Sequence, residues 1–416
     1  MIKKNINMRI LFFLSSLELG GSERQAFILA EHLQKEGYDI QVWGFEKPGK
    51  VALLCDEKKI IWKSCPYWKG NIFRKINLML SNVRNIRKFN PNIIIPFGGM
   101  PSFLCAVSWR FTKARICIWG ERDIGLSRFW YDTYPFAIKL SSCVVTNSKE
   151  GEEYIRREYD SGLDIRVINN GVYTKAPKET REKWRELLKA QESTLVYCMV
   201  ANLSSLKNHS LLISAWYKSL NVSAVPYDSI LVLAGREDDM TDSLKQQVSD
   251  YGINDKVRFL GQVDDISGLL TAVDVGVLSS LSEGQSNAIL EYMYAGLPII
   301  ASDLPSTREL LDNTDSCLFK KDSVEELVES LKQMVSVCKR KENGLKNAER
   351  CKQLYFPERM FASYKALFND LLKKRRKRIT ISILNSFIFF LLKYFIYDLK
   401  MGYSIIIKLF FWEKKK

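Results

Sequence analysis

A chain of 416 residues is too long for one ordinary domain, and with 46% hydrophobic and 26% charged residues it has enough apolar material for two. Lys and Arg outnumber Asp and Glu 62 to 47, and the net charge of +15 is unevenly spread: residues 373–416 hold twelve Lys/Arg against Asp398 and Glu413, which is +10 of the total. That distribution, with no recognisable nucleic-acid module, argues against a nucleic-acid partner, nine cysteines without a C-x-x-C pair argue for reduced thiols in a cytoplasmic setting, and two histidines (His32 and His209) are too few for a histidine-based metal site or triad.

The N-terminal stretch MIKKNINMRILFFLSSLELGG starts with positive charge. Its apolar run, 10–14, is short, and no small-residue cleavage site follows before Glu18, so it reads as a first β-strand rather than an export signal. Gly20-Gly21-Ser22 breaks the chain. Ala26, Ile28, Leu29 and Leu33 give a helix over 23–35, Gly37 closes it, and 39–45 is a second strand. Strand, glycine turn, helix and strand make a βαβ unit. Further strands at 92–96, 114–119, 143–146 and 166–168, with helices between them, predict an open parallel sheet.

A break follows. Asn169-Asn170-Gly171 is a turn, Pro177 stands in a polar stretch, and a charged helix covers 180–189. The alternation then restarts with strand 195–200, helix 210–219, strand 230–234 ending in Gly235, helix 242–251, strand 257–259, helix 266–272 and strand 275–278. A helix after Glu283 and a strand at 298–301 complete it. The expected fold class is α/β, two Rossmann-like domains facing a cleft at the carboxyl ends of their strands. The expected domains are 1–175 on the acceptor side, 190–355 for a nucleotide, a helix over 356–372 packing back on the first domain, and a basic, apolar tail over 373–416.

Two segments suit a membrane surface. Residues 69–90 carry six Lys/Arg and no acid, with Ile72, Ile76, Met79, Val83 and Ile86 at helical spacing; a membrane-facing helix and an ordinary half-buried one both fit. In the tail, KKRRKR precedes the apolar run 379–392, which is shorter than the roughly 20 residues needed to span a bilayer. Interfacial anchoring at an anionic, cytoplasmic membrane face is the expectation.

The chemistry concentrates in SEGQSNAILEYMYAGLPIIASD, residues 282–303. Glu283 and Gly284 follow a strand, and Ser286 or Asn287 can cap the helix that begins there. The N–H groups of residues 284–288 are then unpaired at the positive end of that helix, a ready place for a diphosphate. Gly284 allows close backbone approach. Glu291, one turn further on, reaches a ribose hydroxyl pair, and Glu283 faces the sugar end of the same ligand. Many α/β proteins have an outward Glu in such a turn, so spacing alone leaves this open.

The block resembles the E-x7-E signature of the family-4 retaining glycosyltransferases, whose two-domain architecture is called GT-B. Other pieces occur in the order that resemblance implies. Gly20-Gly21-Ser22-Glu23 resembles a glycine loop near donor phosphate and acceptor. Thr146-Asn147-Ser148 and Asn169-Asn170-Gly171-Val172 resemble the segments before the linker, and Val257-Arg258-Phe259-Leu260-Gly261 the strand under the nucleoside base. The stretch from Ala201 to His209 resembles the loop with a phosphate-binding lysine, here Lys207, whose charge stabilises the leaving diphosphate.

This sequence also departs from the family. The arginine usual five residues before the lysine is Asn202, with Arg122 or Arg236 as candidate substitutes. Neither His32 nor His209 suits the sugar-side histidine of many relatives. In that region, Glu121, Arg122 and Asp123 are candidate sugar or acceptor contacts, with a structural ion pair the competing reading. The resemblance implies Glu283 and Lys207 as catalytic residues. It implies Gly20, Gly21, Asn202, Gly284, Gln285, Ser286, Asn287 and Glu291 as donor-binding residues, with no metal and no cofactor beyond the nucleotide-sugar donor. The function it implies is sugar transfer, with retention, to a lipid-linked or membrane-held glycan in bacterial surface-polysaccharide assembly. A GT-B epimerase of nucleotide sugars and a non-catalytic basic scaffold are the competing readings.

Overall fold

A computed structural model describes residues 8–67, 71–122, 134–159, 162–172 and 175–374. Asp123 and the tail beyond Lys374 lie outside the described residues. The chain forms two compact units, one of Met1–Thr146, Gly151–Val167 and Ser363–Lys416, the other of Asn147–Glu150 and Ile168–Ala362.

The first unit is built on seven parallel strands, β1 (Arg9–Leu14), β2 (Asp39–Phe45), β3 (Ile61–Cys65), β4 (Ile93–Phe97), β5 (Ile116–Glu121), β6 (Cys143–Thr146) and β7 (Ile165–Val167), in the order β3-β2-β1-β4-β5-β6-β7. Helices cover a parallel sheet on both faces, which is why its central strands are almost continuously apolar. Phe12 of β1 pairs with Val42 and Ile95 on its two sides. The order reverses between β1 and β4. There Gly98 has φ of +98°, and a Cβ on it would lie 2.0 Å from the Ser15 hydroxyl, so a larger residue would be strained in its backbone and would displace Ser15.

The second unit has six strands, β8 (Val196–Val200), β9 (Ile230–Ala234), β10 (Val257–Gly261), β11 (Val275–Leu278), β12 (Ile299–Ser302) and β13 (Cys317–Phe319), in the order β10-β9-β8-β11-β12-β13. All of its pairings are parallel too. Tyr197 and Trp216 meet edge to face at 5.3 Å in its core. Residues 175–180 are fastened to this unit by Asp265. Its carboxylate accepts from the Lys178 and Glu179 N–H groups (3.1 Å each), from the Trp184 indole (3.0 Å) and from the Gly268 N–H at the start of its own helix (3.2 Å).

The strands expected from the sequence are present within one or two residues of their expected ends. Two strands beyond them, β3 and β13, are the outer members of the two sheets. All nine cysteines are free, and seven are buried. In the helix Ile72–Phe89, Val83, Ile86 and Phe89 face the core, whereas Phe73 and Leu80 are 68% and 43% exposed. Among the described residues no helix is long and apolar enough to cross a membrane.

Candidate active site

In the second sheet the strand order runs outward from β8 in one direction and from β11 in the other. The loops leaving the carboxyl ends of these neighbours therefore open side by side, the place where α/β sheets bind ligands. Lys207 lies on the first loop and Glu283 on the second. Hydrogen bonds join the loops: the Leu281 N–H donates to the Leu206 carbonyl (2.9 Å), and the Ser279 hydroxyl lies 3.0 and 3.1 Å from the carbonyls of Lys207 and Asn208. On the far side of β8, a Cβ on Gly235 would lie 1.8 Å from the Ala201 carbonyl oxygen. The β8 loop thus lies directly against the end of β9, where the Leu203 N–H donates to the Arg236 carbonyl (3.0 Å).

This stitching brings Lys207 Nζ to 2.5 Å from Glu283 Oε1, with the two side chains 27% and 11% exposed. The Ser280 hydroxyl donates to the same oxygen at 2.6 Å, and the Ser306 hydroxyl holds the Glu283 backbone carbonyl at 2.9 Å.

The helix Asn287–Tyr294 begins three residues beyond Gly284, with Ser286 as its cap, its hydroxyl accepting from the Ile289 N–H at 3.4 Å. The first N–H groups of a helix have no partner within it. The Asn169-Asn170-Gly171 turn steadies this terminus. The Asn170 N–H donates to the Gln285 side-chain oxygen, and its amide donates to the Gln285 carbonyl (3.4 Å) and the Asn287 side chain (3.1 Å). Gln285 and Asn287 therefore present their side chains to this turn. Glu291 sits four residues after Asn287, on the same helix face, and is 6% exposed.

The other expected residues divide clearly. Asn202 is exposed on the β8 loop. Arg236, on the adjoining β9 loop, is 54% exposed and 4.0 Å from Asp238. Gly20 and Gly21 open the helix Gly21–Lys35 after β1, in the first unit. Glu121 and Arg122 are buried in that unit. Glu121 accepts from the Trp119 indole (3.2 Å), while Arg122 donates to the Tyr364 hydroxyl (2.6 Å) and lies over the Phe97 ring. His209 is 1% exposed behind Lys207; burial first, then the Lys207 charge, push its pKa down to about 4, against a weak opposite pull from the Ala201 backbone. The sequence reading missed Ser280 and Ser306. For Ser280 the only signal was a run of small polar residues beside the glutamate, which is common in loops; Ser306 is 23 residues from Glu283 and had none. Among the described residues, no three His, Cys, Asp or Glu side chains gather to hold a metal ion.

A family model of Glycosyltransferase Family 4 matches residues 19–176, and one of group 1 glycosyl transferases matches residues 194–336. The chain belongs to the family-4 glycosyltransferases. It is a sugar-transferring enzyme, which sets aside the non-catalytic scaffold. It is 29% identical over 328 residues to an Escherichia coli UDP-Gal:alpha-D-GlcNAc-diphosphoundecaprenol alpha-1,3-galactosyltransferase, covering 75% of this chain and 84% of that one. Over 61 residues it is 41% identical to the Rhizobium meliloti lipopolysaccharide core biosynthesis glycosyltransferase LpsE, 15% of this chain and 18% of that one. Anabaena HepE, solved with UDP and glucose, has the same fold, with a TM-score of 0.76 and 19% identity over 87% of this chain and 100% of that one.

Proposed function

We propose that this glycosyltransferase moves a hexose from a uridine diphosphate sugar to a sugar carried on a lipid diphosphate, with retention at the transferred carbon. The Lys207–Glu283 pair beside the start of the 287–294 helix carries the reading. The donor diphosphate lies at that helix terminus, where unpaired N–H groups and the helix dipole favour negative charge. Lys207 neutralises the phosphate that leaves. Glu291 takes the ribose hydroxyls and Glu283 the sugar. In the transfer, the bond from the anomeric carbon to the β-phosphate oxygen breaks. The acceptor oxygen bonds to that carbon on the same face, and the acceptor proton passes to the departing phosphate. The protein supplies position and charge, not a strong base. An epimerase has no use for an acceptor, and the E. coli relative's named acceptor favours transfer.

A lipid-held acceptor goes with a membrane-associated enzyme, placed on the cytoplasmic face. The exposed Phe73 and Leu80 lie on a helix that also exposes Arg74, Arg84 and Lys88. The Arg87 side chain of that helix donates to the Phe111 carbonyl (2.7 Å), and Arg115, four residues on, donates to the Leu372 carbonyl (2.9 Å). The 111–115 segment thus contacts both that helix and Leu372, and the exposed helix face and the basic, apolar tail sequence both favour an anionic surface.

The test is release of UDP from UDP-galactose, then from other UDP-sugars, with bacterial membrane lipids as acceptor, in the full-length protein and in Glu283→Gln. The variant should lose roughly 100-fold in turnover, the scale of one transition-state electrostatic partner. Wild-type turnover in Glu283→Gln would remove Glu283 from the mechanism. Full-length protein that fails to sediment with anionic vesicles would remove the membrane.

A further inference from the structure

The two hydrogen bonds on Glu283 go to one oxygen. Lys207 Nζ and the Ser280 hydroxyl both reach Oε1, at 2.5 and 2.6 Å, and among the described residues Oε2 has no hydrogen-bond partner. Two donors converging on one carboxylate oxygen fix the rotation of the group, so Oε2 is held in one orientation. Lys207 cannot do this throughout the reaction. It is the cation for the donor diphosphate, and a diphosphate competes with Glu283 for the same ammonium. Ser280 has no such second duty. It is fully buried two residues beyond β11, and its neighbour Ser279 is anchored to the β8 loop. Its hydroxyl stays in place when the ammonium turns to phosphate.

We propose that Ser280 is the positioning residue for Glu283. In the donor-free enzyme Lys207 and Glu283 satisfy each other. Donor binding draws Lys207 toward phosphate, and the Ser280 hydrogen bond then keeps the 11%-exposed carboxylate from swinging, so that Oε2 meets the sugar. This rests on the reading of Glu283 as the residue facing the donor sugar. Ser280 touches neither phosphate nor sugar and acts only through Glu283.

A double-mutant cycle tests this, using UDP-galactose turnover and UDP affinity as readouts in Ser280→Ala, Glu283→Gln and the pair. Ser280→Ala should lower kcat about 10-fold, with UDP affinity within about twofold of wild type. The double variant should be no slower than Glu283→Gln alone, because Ser280 has nothing left to position. A double variant slowed by the product of the two single effects would show Ser280 acting independently and overturn the proposal, as would wild-type kcat in Ser280→Ala. Ser280→Cys keeps the buried volume with a much weaker donor. It serves if the alanine variant fails to fold, and should lose kcat in the same direction. Wild-type turnover in Glu283→Gln sinks the underlying reading instead, so the two failures are distinguishable.

Discussion

His209 opens the helix His209–Asn221 directly behind Lys207, and it titrates against the fold. Its ring is 1% exposed, and burial and the Lys207 charge hold its pKa at about 4 against an ordinary 6.5. The unfolded chain therefore takes up a proton near pH 6.5 that the native chain refuses until about pH 4. Between those values the unfolded state binds more protons, so stability rises with pH. The contribution is complete above pH 6.5 and is lost as pH falls through the window. The gap from 6.5 to about 4 is worth about 3 kcal/mol in all, of which about 2 kcal/mol falls between pH 7 and pH 5. His209→Leu keeps an apolar side chain of similar size and removes the titration. The assay is urea unfolding at pH 7 and pH 5, followed by fluorescence of the buried tryptophans. Wild type should lose about 2 kcal/mol more than the variant over that interval. Parallel losses in the two proteins would refute the reasoning and show that the imidazole accepts its proton within the fold.

Lys207→Ala should weaken UDP binding at least 10-fold by calorimetry and lower turnover as well, because the diphosphate is charged in both ground and transition states. Gly235→Ala drives a methyl group into the Ala201 carbonyl; it should cost about 1–3 kcal/mol in denaturant unfolding and raise the donor KM by shifting the Lys207 loop. Arg236→Ala should reduce UDP affinity roughly 3- to 10-fold and flatten the salt dependence of binding, with unchanged stability, if the exposed guanidinium answers the donor phosphates in place of an arginine at 202.

How much was legible follows from where each signal lies along the chain. Buried parallel strands such as β9 and β11 are continuous apolar runs closed by glycine or serine, and their positions are correspondingly sharp. The outer strand β3, Ile-Trp-Lys-Ser-Cys, is half exposed because one side lacks a neighbour, and it has no clear run to detect. Glu283, Ser286 and Glu291 belong to one strand–turn–helix segment, so their relation is local and spacing expresses it. Lys207 is different. It is 76 residues from Glu283, on a loop whose composition is ordinary. What joins them is the adjacency of β8 and β11, a crossover that no periodicity records. Resemblance supplied the lysine; the strand order explains it. Ser280 is local, three residues before Glu283, but a serine near a loop glutamate is too common for its spacing to single it out.

The same topology bears on the missing arginine. Of the two candidate substitutes, Arg122 belongs to the first unit, where the Tyr364 hydroxyl and the Phe97 ring engage it. Arg236 has a different setting. β9 is the other neighbour of β8, and the absence of a side chain at Gly235 lets the backbone after β9 come against Ala201 and Asn202. A cation on the β9 loop therefore emerges next to position 202 without belonging to the β8 loop itself. Its side chain is more than half exposed, and among the described residues its one ion-pair partner, Asp238, stands at 4.0 Å on the same loop. Such a pair contributes little to the fold and leaves the guanidinium available to a ligand with two phosphates. We propose that the charge the family places within one loop is shared here by two adjacent loops, with the close backbone approach at Gly235 bringing the β9 loop beside position 202.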